Sequence, residues 1–268
     1  MPSEYMNRTE KDPAQGKWRY LYCVAEGPEA LELRFTGVQG KQVYGIGFRD
    51  LVAFVHDCEG GPGEIKDPEL ARRLLLAHQG VVDGVFARLG SVLPVGFGNI
   101  ISPGEGKGAD ELVSGWLGKN YEAFKGKLGR VRGKAEYGVQ IFMDCEAAAA
   151  GLKETVPELK RLGEEAEDTA SPGVAFLRKE SFKEVLSHEI GSMAGKCFNA
   201  FYKRISGLGG EFKVERTGPE GGKRMIMNLS CLLSEAQAKE MEELLEDISS
   251  YSFVSLRFTG PWPPYSFV

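Results

Sequence analysis

The chain has 268 residues, of which 42% are hydrophobic and 26% charged, which is typical of a soluble protein long enough to build two cores. The formal net charge of −5 argues against a nucleic-acid binder, because neutralising phosphates requires a basic face. No run approaches the roughly 18 apolar residues of a membrane-spanning helix, and the polar N-terminus does not resemble a secretory signal. The five cysteines are scattered without a CxxC pair, so we expect reduced thiols and a cytoplasmic protein.

The first half of the chain predicts a small mixed sheet with helices. Residues 1–16 are polar, and we expect them to form a flexible N-terminus. Aromatic and β-branched runs predict three strands, at Trp18–Ala25, Val43–Gly47 and Leu51–Val55. A helix should begin at Asp67 and Pro68, a cap residue followed by proline at the first helical position. Apolar residues then recur at helical spacing as far as Gly90.

The middle of the chain contains the predicted boundary between two domains. The segment Val92–Gly98 is apolar, but proline and glycine interrupt it too often for a regular strand. A helix is predicted from Ala109 to about Gly126. The stretch from Gly126 to Lys134, rich in Gly, Lys and Arg, follows as the candidate boundary. We therefore expect an N-terminal α+β domain at residues 17–130 and a C-terminal domain at residues 131–268.

The second half predicts the order strand, helix, long helix, strand, strand, helix, strand. Apolar residues alternate at 135–143 and at 225–233, whereas a helical period of three or four runs from Ser171 to Gly207. Ser234 and Gln237 form a capping box for the last helix. This is the split βαβ, ferredoxin-like order with an extra long helix, in which the last strand lies beside the first. The predicted fold class is accordingly α+β with two domains.

The last ten residues, Thr259–Val268, follow a strand pattern and contain three prolines and three large rings. Prolines cannot donate to a sheet ladder, so the strand should end near Thr259. Exposing Trp262, Tyr265 and Phe267 would be costly. The tail is therefore either packed onto the body of the protein or kept for a partner.

The sequence shows no catalytic, cofactor or metal site. The three histidines, at positions 56, 78 and 188, lack the spacing of a metal site, so we expect structural or surface histidines. The run His56-Asp57-Cys58 contains a base and a nucleophile, but sequence neighbours on a strand point to opposite faces. Ser102–Gly108 lacks the Ser/Thr that follows Gly-Lys in a phosphate loop. We expect a protein that is not an enzyme.

Six short motifs run through nearly the whole chain in a recognisable order. They are Tyr20–Val24, Ala77-His78, Leu93–Gly98, Tyr137–Val139, Ser171–Gly173 with Phe176-Leu177, and Thr259–Val268. With them the chain resembles the GvpL/GvpF family of gas vesicle proteins. The chain departs from the family pattern at Gly96, where an arginine is expected, and at Gln79, where a glutamate is expected.

The resemblance implies a cytoplasmic, non-enzymatic accessory protein of gas vesicle assembly. Such a protein would bind the hydrophobic shell protein, other accessory proteins, or both, during nucleation at the gas vesicle. It would need no cofactor and would have neither a membrane nor a nucleic acid as partner. The implied fold is two α+β domains, the second a ferredoxin-like variant.

An assembly factor must cover apolar surface on its partner, and either the aromatic-proline tail or an exposed sheet edge that pairs with the partner's strands could do this. Residues of the tail and of the segment Leu93–Gly98 are the candidate interaction sites. The candidate residues are Trp262, Pro263, Pro264, Tyr265, Phe267, Leu93, Pro94 and Phe97. For both segments the simpler alternative is packing inside the protein. Two other functions stay open: an enzyme or small-molecule-binding protein on a ferredoxin-like scaffold, or a nucleic-acid binder using the basic stretch Lys119–Lys134.

Overall fold

A computed structural model describes residues 17–27, 35–60, 65–104, 106–167 and 171–268. Within these ranges the chain forms seven α-helices and two antiparallel sheets, so the fold is mixed α and β. None of the described helices is both long enough and apolar enough to cross a bilayer. The expected flexible segment 1–16 lies outside the described residues.

The strands and helices have the following limits. The strands are β1 (Trp18–Glu26), β2 (Phe35–Thr36), β3 (Gln42–Phe48), β4 (Leu51–Cys58), β5 (Val92–Pro94), β6 (Ile100–Ile101), β7 (Lys134–Met143), β8 (Glu211–Val214), β9 (Pro219–Glu220), β10 (Lys223–Ser234) and β11 (Val254–Trp262). The α-helices are α1 (Pro68–Leu89), α2 (Ala109–Lys119), α3 (Tyr121–Val131), α4 (Cys145–Thr155), α5 (Pro157–Glu167), α6 (Pro172–Ser206) and α7 (Glu235–Ser249). Short 3₁₀ turns occupy Val38–Gly40 and Tyr265–Phe267.

Internal contacts divide the chain into two compact units. Unit 1 comprises Met1–Gly133 together with Pro263–Val268, and unit 2 comprises Lys134–Trp262. This division differs from the predicted domain limits in two places. Residues 131–133 and the last six residues group with unit 1, although the sequence-based limits assign them to the second domain.

The sheet of unit 1 has the strand order β2-β3-β4-β1-β5, and β6 also pairs with β1. The central strands β1 and β4 pair antiparallel, which places Tyr20 opposite His56. Helix α1 begins and ends as predicted: the Asp67 carboxylate accepts from the N–H of Glu69, and Gly90 closes the helix with a φ of +72°. The valines on the inner side of α1 pack with Tyr22 in the core.

Two details of unit 1 differ from the prediction. Val92–Pro94 does form a short strand, β5, because the edge of the sheet tolerates the missing N–H of proline. The helix predicted across Ala109–Gly126 breaks at Asn120, whose side chain donates to the carbonyl of Trp116 at 2.8 Å. Such side-chain bonds compete with the helical ladder. Helix α3 then continues through Gly126 as far as Val131.

The sheet of unit 2 has the strand order β11-β7-β10-β8, with β9 paired to β10. Alternate residues of β7 and β10 are buried, among them Val139, Met227 and Leu229, as the period of two predicts. The capping box of Ser234 and Gln237 is present at the start of α7.

Strand β11 is longer than predicted. It continues past Thr259 to Trp262, which pairs with Glu136, and its register shifts between these two positions. Pro261 is tolerated because β11 is an edge strand and the shift breaks the regular ladder around it. The prediction that the strand ends near Thr259 was therefore wrong.

Candidate functional site

The last six residues form a packed segment of unit 1. Pro263, Pro264 and Phe267 are buried, and Phe267 retains only 4% of its exposed surface. The carbonyl oxygen of Phe267 accepts a hydrogen bond from Arg130 Nη1 at 3.1 Å. The single 3₁₀ turn at Tyr265–Phe267 satisfies part of the remaining backbone. Most of this segment therefore packs within unit 1.

Two of the three C-terminal rings remain accessible. Tyr265 is 39% exposed within unit 1, and Trp262, at the end of β11 in unit 2, is 43% exposed. Burial of the phenol, with the Asp83 carboxylate nearby, raises the pKa of Tyr265. This hydroxyl therefore stays uncharged near pH 7.

The second candidate segment, which contains Leu93, Pro94 and Phe97, also has both buried and exposed residues. Leu93 is buried in β5 opposite Val24 of β1, and Pro94 is half-buried. Phe97 is exposed, with its ring edge-on to those of Tyr20 and His78, at centroid distances of 6.2 and 5.8 Å. Of the eight candidate residues, Phe97, Trp262 and Tyr265 are exposed, Pro94 is half-buried, and the other four are buried.

The sequence did not predict the buried cluster of two tyrosines and two histidines beneath Phe97. Tyr20 Oη lies 3.0 Å from His78 Nδ1, and Tyr22 Oη lies 2.8 Å from His56 Nδ1. The rings of Tyr20 and His56 stack at a centroid distance of 4.9 Å. The signal available in the sequence was the spacing of Tyr20 and Tyr22, which puts both rings on one face of β1. The register of β1 with β4, needed to add His56, cannot be obtained from local pattern.

Backbone groups complete this cluster. The N–H of Gly98 donates to Tyr20 Oη at 3.1 Å, and the N–H of Val38 donates to Tyr22 Oη at 2.7 Å. His78 Nε2 lies 3.0 Å from the carbonyl oxygen of Val95. His56 and His78 are thus both held in place by buried hydrogen bonds.

The groups of this cluster are neutral near pH 7. Burial lowers the pKa of His56 to about 4 and raises the pKa of Tyr20 to about 12. Burial is also the main reason why the pKa of the Cys58 thiol is raised. Because the thiolate is the nucleophilic form, this cysteine is poorly suited to attack a substrate.

The alternation of side chains along β4 does not separate His56 from Cys58, in contrast to the prediction from sequence. His56 and Asp57 point to opposite faces of the strand, whereas Cys58 points to the same face as His56. His56 and Cys58 line the same cavity. The pair still lacks the features of a catalytic dyad. His56 Nδ1 is bonded to Tyr22, and Asp57 accepts from Tyr44 and pairs with Lys17 and Arg19.

A cavity of about 470 Å³ opens between the sheet of unit 1 and the start of α1. Its lining includes Tyr20, His56 and Cys58, apolar residues such as Leu74 and Phe97, and the charged residues Glu59, Lys66 and Asp67. No three His, Cys, Asp or Glu side chains come together as a possible metal site anywhere in the described ranges. The arrangement is suited to binding rather than to acid–base chemistry.

The basic stretch Lys119–Lys134 is partly neutralised. Lys125 pairs with Glu26 and, at 2.7 Å, with Asp50, and Arg132 also pairs with Glu26. These contacts tie α3 to the ends of β1 and β4. They reduce the charge available for phosphates, so the geometry does not favour a nucleic-acid surface here.

An exposed apolar surface that the sequence pattern did not predict lies at the start of α6. Phe176 and Leu177 are 63% and 65% exposed, and Val174 is exposed beside them. The first half of α6 has no fully buried residue, since its buried positions, Ala194, Phe201 and Ile205, lie further along. The sequence contains one indication of this surface, the adjacent apolar residues Phe176 and Leu177. They were interpreted only as a family motif and not as an interaction site.

Comparison with known proteins gives consistent results. The family model described as gas vesicle synthesis protein GvpL/GvpF matches residues 18–268. Gas vesicle protein L1 of Halobacterium salinarum is 27% identical over 99% of this chain and 95% of its own length. Gas vesicle protein F of a Streptomyces species is 29% identical over 74% of this chain and 78% of its own length.

Solved structures show the same fold. The crystal structure of GvpF from an Anabaena species superposes with a TM-score of 0.73 at 18% identity, covering 94% of this chain and 98% of that one. GvpF from Microcystis aeruginosa gives a TM-score of 0.66 at 17% identity, covering 93% and 98%. Since the family model spans almost the entire chain, this protein belongs to the GvpL/GvpF family of gas vesicle synthesis proteins.

Proposed function

We propose that this protein is a non-catalytic, cytoplasmic accessory factor that binds the hydrophobic gas vesicle shell protein and other accessory proteins during nucleation. Family membership and the names of the curated relatives support a role in gas vesicle formation. His56, whose pKa is lowered to about 4, is neutral near pH 7, and the pKa of the Cys58 thiol is raised. Both observations support a non-catalytic role.

The observation that carries the binding proposal is the exposed apolar surface of α6, formed by Val174, Phe176 and Leu177. Large apolar side chains left next to one another in solvent are characteristic of interaction sites. Covering Phe176 and Leu177, each about two-thirds exposed, would contribute roughly 1–2 kcal/mol per side chain.

The other candidate surfaces fit this role less well. Strand β11 is an edge strand, but Pro261, the register shift and the charged Arg257 all discourage a further strand from pairing with it. In the C-terminal segment, we propose that Pro263, Pro264 and Phe267 serve packing. Trp262, Tyr265 and Phe97 are then the candidate residues available for contact.

The test is capture of the major shell protein by the purified full-length chain. We expect F176S combined with L177S to weaken binding at least about tenfold, because two apolar contacts are lost. V214S is the matched control, since Val214 is exposed to a similar degree but lies on β8. Equal capture by the double variant and the wild-type chain would refute the assigned surface. Failure of the wild-type chain to capture shell protein would refute the function.

We also infer that unit 2 is a ferredoxin-like variant. Apart from the two-residue β9, its chain order is strand, helices, two strands, helix and strand; this order and the sheet order β11-β7-β10-β8 support the inference. The alternative function is an enzyme or small-molecule-binding protein on this ferredoxin-like scaffold. The cavity lined by His56, however, belongs to unit 1.

A further inference from the structure

We infer that the cavity above His56 binds a small uncharged molecule that has a hydrogen-bond acceptor on an apolar body. The acceptor would take the proton of His56 Nε2, and the body would lie against the apolar walls. Nothing in the proposed assembly role requires this site, and it is independent of the α6 surface.

The hydrogen bonds of the cluster fix where each proton lies. A carbonyl oxygen only accepts, so His78 Nε2–H donates to Val95 and His78 Nδ1 accepts from the Tyr20 hydroxyl. Tyr20 Oη also accepts from Gly98, which completes both side chains.

The hydrogen bonds of Tyr22 determine which ring nitrogen of His56 remains a free donor. Tyr22 Oη accepts from the N–H of Val38, and Tyr22 has no solvent exposure. The Tyr22 hydroxyl therefore needs an acceptor, and His56 Nδ1 at 2.8 Å provides it. The proton of the neutral His56 ring is then on Nε2.

His56 Nε2–H has no hydrogen-bond partner within the described part of the chain. The residue is only 1% exposed, and it lines the cavity, so the cavity is the space that this N–H faces. An acceptor on a ligand in the cavity can take this hydrogen bond in place of water.

The remaining cavity residues define the rest of the ligand. Val38, Leu70, Leu74, Phe97 and Ile100 provide apolar contact, and about 470 Å³ lies within the usual range for small-molecule sites. His56, Tyr20 and Cys58 are all uncharged near pH 7. The charged lining residues Glu59, Lys66 and Asp67 carry a formal net charge of −1, so a carboxylate would lose hydration without gaining a net counter-charge. A carbonyl or a ring nitrogen fits better.

The test uses the full-length, ¹⁵N-labelled chain and three probes: acetophenone, ethylbenzene and benzoate. The chain has three histidines, so ring-nitrogen spectra resolve each one. We expect acetophenone to shift the His56 Nε2 signal saturably and to leave those of His78 and His188 in place. Acetophenone should bind roughly two- to tenfold more tightly than ethylbenzene, the range for one hydrogen bond, and more tightly than benzoate.

Two helix variants locate the site without disturbing the buried cluster. Leu70 and Leu75 are both exposed on α1, but only Leu70 lines the cavity. We expect L70W to abolish the acetophenone shift and L75W to preserve it. The inference is overturned if the His56 signal does not move, if all three histidines move together, if ethylbenzene or benzoate binds as tightly, or if the two variants behave alike.

Discussion

Removing the Phe267 ring tests whether the C-terminal segment is a structural part of unit 1. The side chain is 4% exposed although it lies one residue before the last position, and chain ends commonly fray. Phe→Ala at a buried site costs about 3 kcal/mol or more, through lost transfer free energy and the cavity that remains. Such a loss lowers the melting temperature of a chain of this size by roughly 6–12 °C.

The assay is urea unfolding followed by circular dichroism, for the wild-type chain, F267A and W262A. Trp262 is the matched control, because its ring is 43% exposed and its removal should cost about half as much or less. Shell-protein capture by F267A at a temperature where it is folded should equal that of the wild-type chain. If F267A unfolds like the wild-type chain but no longer captures shell protein, the segment serves recognition and the packing argument fails.

Two further predictions concern buried titratable groups. Asp83 Oδ1 is buried without a hydrogen bond to any described residue, and burial raises the pKa of the carboxyl. D83N should therefore raise the free energy of unfolding at pH 7. The gain should shrink as the pH falls through that raised pKa, because the wild-type carboxyl is then neutral. A variant less stable than the wild-type chain at pH 7 would contradict this prediction. His56, with its pKa lowered to about 4, should stay neutral at pH 5 in ring-nitrogen spectra. Since the unfolded chain takes up this proton near pH 6.5, about 3 kcal/mol of stability should be lost between pH 6.5 and pH 4, and protonation of His56 by pH 6 would refute the burial argument.

Local sequence signals identified those parts of the fold that depend on local physics. Asp67, Pro68 and Gly90 set both ends of α1, and Ser234 with Gln237 set the start of α7, because capping bonds reach only a few residues. The break at Asn120 was missed for a related reason. A single side-chain bond to Trp116 competes with an otherwise uninterrupted helical pattern, and apolar spacing carries no sign of it.

The cavity could not be predicted, because it depends on contacts between distant parts of the chain. Tyr22 and His56 are 34 positions apart, and Tyr20 and His78 are 58 apart. The period of two shows that both tyrosines share a face, but the register of β1 and β4 decides which histidine meets them. The position of Phe267 also depends on a distant residue, because the Arg130 side chain donates a hydrogen bond to its carbonyl oxygen.

Because unit 1 consists of residues 1–133 and 263–268, it is discontinuous in sequence. During translation, the first 133 residues emerge before the segment that supplies Phe267 exists, so unit 1 can be completed only after the whole of unit 2 has been made. The same order governs dissection of the protein. A fragment cut after Gly133 leaves the place of Phe267 unfilled and apolar, and its binding to a hydrophobic partner would report that opened surface rather than the native one.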